Sequence, residues 1–241
     1  MLPADLLARA PLAPILIAQA LAVRRRAQML PEPPGPREGS AGSGPPLHLL
    51  ILGDSSAAGV GASSQAAGLS GQLVERLASA HRVTWRLEAA IGATTADTLA
   101  RLAALPPMRF DLAVTALGVN DVTRMVPTAR WLRRQVALLD LLTARFGVAQ
   151  VLVTGVPPMG RLPLLPQPLR WILGAQAARL DAGLRGLLAA RAGAVHVSVD
   201  FPADPAMAAA DGFHPSPRAY TLWAAELARH VRPAPRPVGR S

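Results

Sequence analysis

The chain of 241 residues contains no cysteine, and it contains no lysine, so every basic side chain is arginine. Without cysteine, disulfide bonds and thiolate metal sites are excluded. The five histidines show no H-x-x-x-H spacing, which argues against a histidine-rich metal site. We therefore expect no metal site built on cysteine or on a cluster of histidines.

Aromatic residues are scarce at 4%, and 15 acidic residues face 25 basic ones, which gives a formal net charge of +10. A basic surface is one mark of a nucleic-acid-binding protein. Here, however, the arginines are scattered, Arg24–Arg26 is their one run, and few rings are available for stacking on bases. We expect no nucleic-acid partner, and an anionic membrane surface is the weaker alternative.

A hydrophobic content of 51% can form one good core, so the length predicts a single domain with additions. Residues 1–29 are an apolar and arginine-rich segment, which we expect to be helical. Residues 30–46 read as an extended, poorly packed Pro/Gly/Ser linker. The domain itself is predicted to span 47–231, followed by a Pro/Arg-rich tail at 232–241.

The apolar stretch Ala10–Val23 precedes the arginine run, whereas a secretory signal carries its charges before the apolar stretch. It is also shorter than the roughly 20 residues that a membrane-spanning helix needs. A helix packed on the domain, an interfacial helix with snorkelling arginines and a signal anchor stay open. We expect a cytoplasmic or peripheral membrane protein, with export not excluded.

Beyond the linker, short apolar runs alternate with amphipathic segments. This alternation predicts an α/β domain whose parallel sheet is covered by helices on both faces. The predicted strands are Leu47–Leu52, Val83–Ala89, Leu112–Leu117, Val151–Thr154 and Ala194–Val199. The predicted helices are Ser70–His81, Thr95–Leu105, Thr128–Phe146, Leu169–Arg191 and Pro217–His230.

Polar residues follow the carboxyl ends of these strands, where ligands bind in open α/β sheets. The first such loop carries Asp54 and Ser55 in "GDS", and the second carries Gly92 in "IGATT". The third is "GVND" with Asn120, and the last is "DGFHPS" at Asp211–Ser216. The topology therefore predicts that a hydroxyl, a glycine amide, a carboxamide, a carboxylate and an imidazole meet at one rim.

These groups are the ones that acyl transfer requires. A serine hydroxyl becomes a good nucleophile when an imidazole takes its proton, and a third group must orient the imidazole. Asp211 and His214 are three residues apart, so a tight turn can pair them. Backbone N–H groups, including that of Gly92, and the amide of Asn120 can stabilise a developing oxyanion.

In order and spacing these four motifs resemble the signature blocks of the SGNH hydrolases, also called GDSL esterases and lipases. The resemblance implies a flavodoxin-like three-layer α/β/α sandwich with a parallel five-stranded sheet. It assigns Ser55 as nucleophile and backbone oxyanion donor, with Gly92 and Asn120 as the other donors. His214 becomes the base and Asp211 its orienting carboxylate.

The chain departs from the family pattern in the second block. Many members carry an asparagine shortly before the glycine of this block, whereas this chain reads "EAAIG". We therefore expect the loop at Gly92 to lack a polar support. In the first block Ser56 replaces the leucine of the family's nickname, a common substitution.

The resulting hypothesis is a serine esterase that needs no metal or other cofactor and acts on short to medium acyl chains through an acyl-enzyme. A carbohydrate O-deacetylase, a thioesterase or lysophospholipase, and an acyltransferase would use the same site. The non-enzymatic alternative is a membrane-surface or polyanion-binding protein with an idle site. The proline-rich stretch Val156–Pro168 reads equally as an acyl pocket or as a packed loop.

The other polar residues of these motifs are expected to be structural. Asp54 is expected to bond backbone in its turn, and Asp121 to start a helix. The remaining histidines lack a partner of the kind that Asp211 offers His214. They are His48, His81, His196 and His230.

Overall fold

A central β-sheet with helices on both faces makes up the protein, whose computed structural model describes residues 3–26 and 28–232. The predicted tail lies outside the described residues except for residue 232. The strands are β1 (Glu38–Ala41), β2 (Pro46–Gly53), β3 (Arg82–Ala89), β4 (Leu112–Ala116), β5 (Gln150–Thr154) and β6 (Ala194–Val197). The α-helices are α1 (Ala4–Arg26), α2 (Leu69–Ala78), α3 (Thr95–Ala104), α4 (Val119–Thr123), α5 (Thr128–Phe146), α6 (Leu169–Ala189) and α7 (Pro217–Arg229).

The strand order is β1-β3-β2-β4-β5-β6, in which β2 to β6 are parallel and β1 pairs antiparallel with β3. The parallel part has the flavodoxin-like order: β3 is added on one side of β2, and β4, β5 and β6 are added on the other side, so the order of strand addition reverses between β2 and β4. This confirms the predicted α/β class. The sheet has six strands rather than five, because β1 is an additional antiparallel edge strand.

The additional strand lies within the predicted linker. Residues 38–41 have no alternating apolar pattern, and they join the sheet through backbone pairing with β3. Gly39 lies beneath the indole of Trp85, where a Cβ would come within 2.5 Å of the ring. Pro33 is buried, and the amide of Gln65 donates to the carbonyl of Pro34. The chain is extended here, as predicted, but these residues pack against the domain, so the prediction of poor packing was wrong for them.

Strand β2 is buried on both faces, as its continuous apolar run predicts. Leu50 and Leu52 point into the cluster formed with α5 and α6. Leu49 and Ile51 point into the opposite cluster, formed with α2 and α7. The strands and helices that the sequence predicts agree with the observed ones to within three residues at each end.

The proline-rich stretch between β5 and α6 contains one short 3₁₀ turn at Met159–Arg161. The side chains of Met159 and Leu165 are buried in the cluster with α5 and α6. Of the two interpretations of this stretch, the structure therefore favours a packed loop.

Helix α1 packs along α6. Leu16 and Val23 contact the core cluster, and Gln19 hydrogen-bonds to the backbone of Gln167 and Leu169. At 23 residues α1 is longer than the apolar stretch that predicted it. It is long and apolar enough to cross a membrane, so the expectation that this segment is too short was wrong.

Truncating a side chain in the core cluster that contains α5 should destabilise the protein strongly. We expect Leu139→Ala, at a position that is 1% exposed, to lower the free energy of unfolding by about 2–5 kcal/mol, because a cavity replaces buried methyl groups. Arg133→Ala on the exposed side of the same helix should change it by less than about 0.5 kcal/mol. Urea unfolding followed by far-UV circular dichroism measures both, and equal effects would contradict the assigned core face.

Candidate active site

Ser55 sits in the turn that leaves the carboxyl end of β2. Gly53 is the last residue of the strand, and a Cβ there would lie 2.5 Å from the carbonyl oxygen of Ala116 and from Ala57. Because Gly53 has no side chain, the turn packs closely against the end of β4, where the Asp54 amide donates to the Ala116 carbonyl at 3.2 Å. Ser55 itself is 9% exposed, so its hydroxyl has a fixed and largely desolvated setting.

His214 reaches this hydroxyl from the loop before α7. Its Nε2 lies 2.8 Å from Ser55 Oγ, although the residues are 159 positions apart in the chain. The approach depends on Gly61, with φ of +100°, because a Cβ there would lie 2.4 Å from the Pro215 carbonyl oxygen. The serine turn and the histidine loop thus pack backbone to backbone.

Asp211 holds the other side of the imidazole. Its Oδ2 is 2.5 Å from His214 Nδ1, and its Oδ1 accepts from the amides of Phe213 and His214 at 2.9 and 3.0 Å. Burial acts to raise the pKa of Asp211, but the hydrogen bonds from His214 and from these amides outweigh it and keep the pKa below its usual value. An ionised carboxylate only accepts hydrogen bonds, so Nδ1 is the donor and Nε2 is left to accept from Ser55.

Asn120 lies between the loops that follow β2 and β3. It belongs to α4, directly after β4, and its Nδ2 donates to the Ala93 carbonyl at 3.0 Å and to Asp54 Oδ2 at 3.3 Å. Gly92, next to Ala93, has φ of +75° and open space where a Cβ would be. The structure therefore brings Ser55, Gly92 and Asn120 to the same edge of the sheet, as the sequence predicts.

The loop at Gly92 has a polar support, contrary to expectation. Arg124, at the end of α4, donates from Nη2 to the Gly92 carbonyl at 3.0 Å, and its Nη1 lies 3.6 Å from Asp97. Asp97 in turn forms a capping box with Thr94 at the start of α3. The polar support of this loop thus comes from an arginine that follows α4 rather than from a residue of the second block. In sequence its signal is a basic residue four positions after Asn120, too weak to single out.

Two buried carboxyl groups join the loops from below. Asp121 Oδ2 accepts from the amide and hydroxyl of Thr95 at 2.9 Å, and Trp131 Nε1 donates to the same hydroxyl. Asp54 Oδ1 accepts from the Ser56 amide at 2.9 Å, so the expectation that Asp54 bonds backbone in its turn is confirmed. Burial raises the pKa of Asp121, and it raises the pKa of Asp54 to about 7.

The other histidines lie away from Ser55. His196 pairs with Asp181 at 2.9 Å, and the same carboxylate accepts from the Val156 amide and from Arg185. The expectation that His196 lacks a carboxylate partner was therefore wrong, and this second histidine–aspartate pair holds the start of the loop after β5. His48 contacts Asp111 at the opposite end of β2.

The comparisons with known proteins agree with this arrangement. Residues 51–222 match the GDSL-like lipase/acylhydrolase family. The chain belongs to this family. The predicted resemblance to SGNH hydrolases is thereby confirmed.

One relative of the chain is the GDSL-like esterase Rv1075c of Mycobacterium tuberculosis, with 34% identity over 195 residues. The match covers 75% of this chain and 60% of that relative's length. The crystal structure of TesA superimposes with a TM-score of 0.59 at 24% identity, over 75% of this chain and 95% of TesA. The psychrotrophic esterase EstA from Pseudoalteromonas sp. gives a TM-score of 0.56 at 21% identity, over 76% of this chain and 94% of EstA. These structures share the fold.

The burial of Asp54 makes a prediction about stability and pH. Its pKa rises from 3.8 to about 7 on folding. Between pH 3.8 and about pH 7 the folded state therefore keeps a proton that the unfolded state has lost. The stability that the protonated Asp54 contributes is complete below the lower pKa and is lost as the pH rises toward the higher one. Relative to Asp54→Asn, the unmodified protein should lose up to about 1.4 kcal/mol per pH unit in this window.

Asp97→Asn is the matched control, because folding lowers the pKa of Asp97 whereas it raises that of Asp54. The Thr94 amide and hydroxyl hold the pKa of Asp97 below 3.8, so its contribution is lost as the pH falls below that value. Urea unfolding of the three proteins at a series of pH values measures both effects. A constant difference between the unmodified protein and Asp54→Asn from pH 4 to pH 7 would contradict the assignment.

Proposed function

We propose that this protein is a cofactor-free serine esterase that cleaves carboxylic esters of short to medium acyl chain through an acyl-enzyme. The contact of His214 with both Ser55 Oγ and Asp211 Oδ2, at 2.8 and 2.5 Å, is the observation that carries the proposal. An alcohol, a neutral imidazole and a carboxylate in this order form a nucleophile, a base and the group that orients the base. Membership in the GDSL-like lipase/acylhydrolase family supports the same chemistry.

The first half of the reaction acylates the serine. Ser55 Oγ forms a bond to the ester carbonyl carbon while His214 Nε2 takes its proton. The resulting imidazolium is stabilised by Asp211, and it then gives the proton to the departing alkoxide as the carbon–oxygen bond of the ester breaks. The second half repeats these steps with water in place of the serine, which releases the acid and restores Ser55.

The oxyanion of each tetrahedral intermediate needs donors already in position. In this proposal they are the backbone N–H of Ser55, that of Gly92 and the side-chain amide of Asn120. One N–H of Asn120 is held by the Ala93 carbonyl at 3.0 Å, whereas the contact with Asp54 is longer at 3.3 Å. The second N–H is therefore the one that exchanges Asp54 for the substrate oxygen.

An apolar side chain beside the reacting groups supports an ester with an alkyl acyl group. The ring of Phe213 is partly exposed and stands edge-on to the His214 imidazole, with ring centroids 5.2 Å apart. Carbohydrate deacetylation, thioester or lysophospholipid hydrolysis and acyl transfer to another alcohol use the same catalytic parts. Rates on esters of increasing acyl length, compared with rates on acetylated xylan, separate these substrate classes.

Ser55→Ala tests the proposal directly. We expect kcat/KM for p-nitrophenyl acetate to fall by about 10⁴-fold or more, because the acyl-enzyme can no longer form. Ser56→Ala removes the neighbouring hydroxyl and should leave the rate within about twofold, since the backbone amide of Ser56 still donates to Asp54.

A fluorophosphonate probe followed by mass spectrometry gives the independent readout. The adduct should lie on Ser55 in the unmodified protein and be absent from Ser55→Ala. An unlabelled protein without esterase activity would favour the alternative of a binding protein with an idle site. Activity that survives in Ser55→Ala would reject Ser55 as the nucleophile.

The hydrogen bond from Arg124 to the Gly92 carbonyl predicts an effect on the chemical step. We expect Arg124→Ala to lower kcat about tenfold with little change in KM, less than the roughly 10²–10³-fold loss seen when a donor itself is removed. The reason is that the loop is held less firmly while the Gly92 amide is still present. Arg124→Lys should recover part of the rate, because an ammonium can still donate to the carbonyl.

Steady-state kinetics on p-nitrophenyl acetate measures kcat and KM separately. Arg133→Ala, on the exposed face of α5, is the control for the loss of one positive charge. A raised KM with unchanged kcat would instead assign Arg124 to substrate binding.

A further inference from the structure

Helix α1 turns its polar side chains toward the protein. Asp5 is 4% exposed and accepts from both terminal nitrogens of Arg179 at 2.7 Å. Arg9 donates to Gln176 at 2.9 Å. With Gln19 and two apolar residues, these side chains lie at positions 5, 9, 16, 19 and 23, whose spacings of three, four and seven residues place them on one side of the helix. One face of α1 is therefore fixed to α6 by ion pairs and hydrogen bonds.

The opposite face of α1 is apolar and open. Leu7 is 61% exposed and Ile17 is 60% exposed. Between positions 7 and 21 every exposed residue of the helix is apolar. An amphipathic helix on a water-soluble protein has the reverse arrangement, with its apolar stripe toward the core. The exposed set comprises Leu7, Ala10, Pro11, Pro14, Ile15, Ile17, Ala18, Ala20 and Leu21.

Positive charge borders this face. Arg24–Arg26 are exposed in the last turn of α1. Exposed arginines attract anionic headgroups.

We propose that the outer face of α1, Leu7 to Leu21, lies in the interfacial layer of an anionic phospholipid bilayer. The helix stays docked on α6 and lies parallel to the membrane plane. Its apolar side chains reach the acyl-chain boundary, while Arg24–Arg26 contact lipid phosphates. This surface is independent of the proposed esterase activity.

The inner contacts favour a helix that lies flat over one that spans the bilayer. A spanning α1 would leave α6, break the Asp5–Arg179 pair and place a carboxylate in hydrocarbon. Pro11 and Pro14 also lack the N–H groups that would bond to the carbonyls of Leu7 and Ala10. In the interfacial layer these carbonyls still meet water.

Charge favours a lipid surface over a second copy of the chain. Two copies would each bring a formal net charge of +10, and like charges oppose association. An anionic bilayer complements the same charge.

Vesicle flotation tests the proposal with the full-length protein. It should float with phosphatidylcholine–phosphatidylglycerol vesicles, less with phosphatidylcholine alone, and less as salt is added. The combined variant Ile15→Asn, Ile17→Asn and Leu21→Asn should weaken binding by about tenfold or more, because three apolar side chains no longer leave water. Leu222→Asn, an exposed leucine on α7 behind the sheet, should bind like the unmodified protein. Circular dichroism checks that each variant is folded.

Labelling single cysteines with an environment-sensitive fluorophore tests the orientation, since the chain has no cysteine of its own. Leu7→Cys and Leu21→Cys lie about 21 Å apart along the axis at about 1.5 Å per residue. If the helix lies flat, quenchers attached to the lipids should place both labels at the same depth in the bilayer. A label on Glu75→Cys in α2 is the control and should stay in water. Unequal depths, no flotation at low salt, or a lipid-free dimer broken by the combined variant would each overturn the proposal.

Discussion

The parallel register of β2 with both of its neighbours is the constraint on which the site depends. Gly53, the last residue of β2, pairs with Ala89 at the end of β3 and with Ala116 at the end of β4. Three loops therefore leave the sheet at one level, on either side of the point where the order of strand addition reverses. A shift of one residue would turn the strand's side chains to the wrong faces and move Ser55 away from the other loops.

Hydrogen bonds between these loops hold the groups of the site in fixed positions. Asn120 and Arg124 donate to the backbone of the Gly92 loop, and Asp121 accepts from Thr95 at the start of α3. Burying carboxyl groups is costly, as the raised pKa of Asp54 indicates. These buried carboxyl groups lie beside the reacting groups, where they hold the loops whose hydrogen-bond donors must not move as charge develops.

Much of this arrangement could be predicted from sequence, because its signals are local. Apolar runs that end in polar motifs indicated the strands and the loops after them, and the three-residue spacing of Asp211 and His214 indicated their turn. The edge strand β1 has no such signal, since Gly39 and its neighbours pair through backbone and Gly39 is covered by Trp85 from a distant part of the chain. The same holds for Arg124, whose acceptor is set by how two loops pack.

The direction that α1 faces is the clearest case in which composition alone was insufficient. Its apolar residues outnumber its polar ones, so burial of the apolar side was the simplest expectation, yet Asp5 and Arg9 find partners on α6 and take that side instead. Gln176, which accepts from Arg9, also donates to the carbonyl of Val126, just beyond the segment that carries Asn120. A displacement of α1 must therefore break a hydrogen bond to a side chain that also holds the end of the loop after β4. The Val126 amide in turn donates to the carbonyl of Asp121 at 2.9 Å, so hydrogen bonds connect α1 with the loop that carries Asn120.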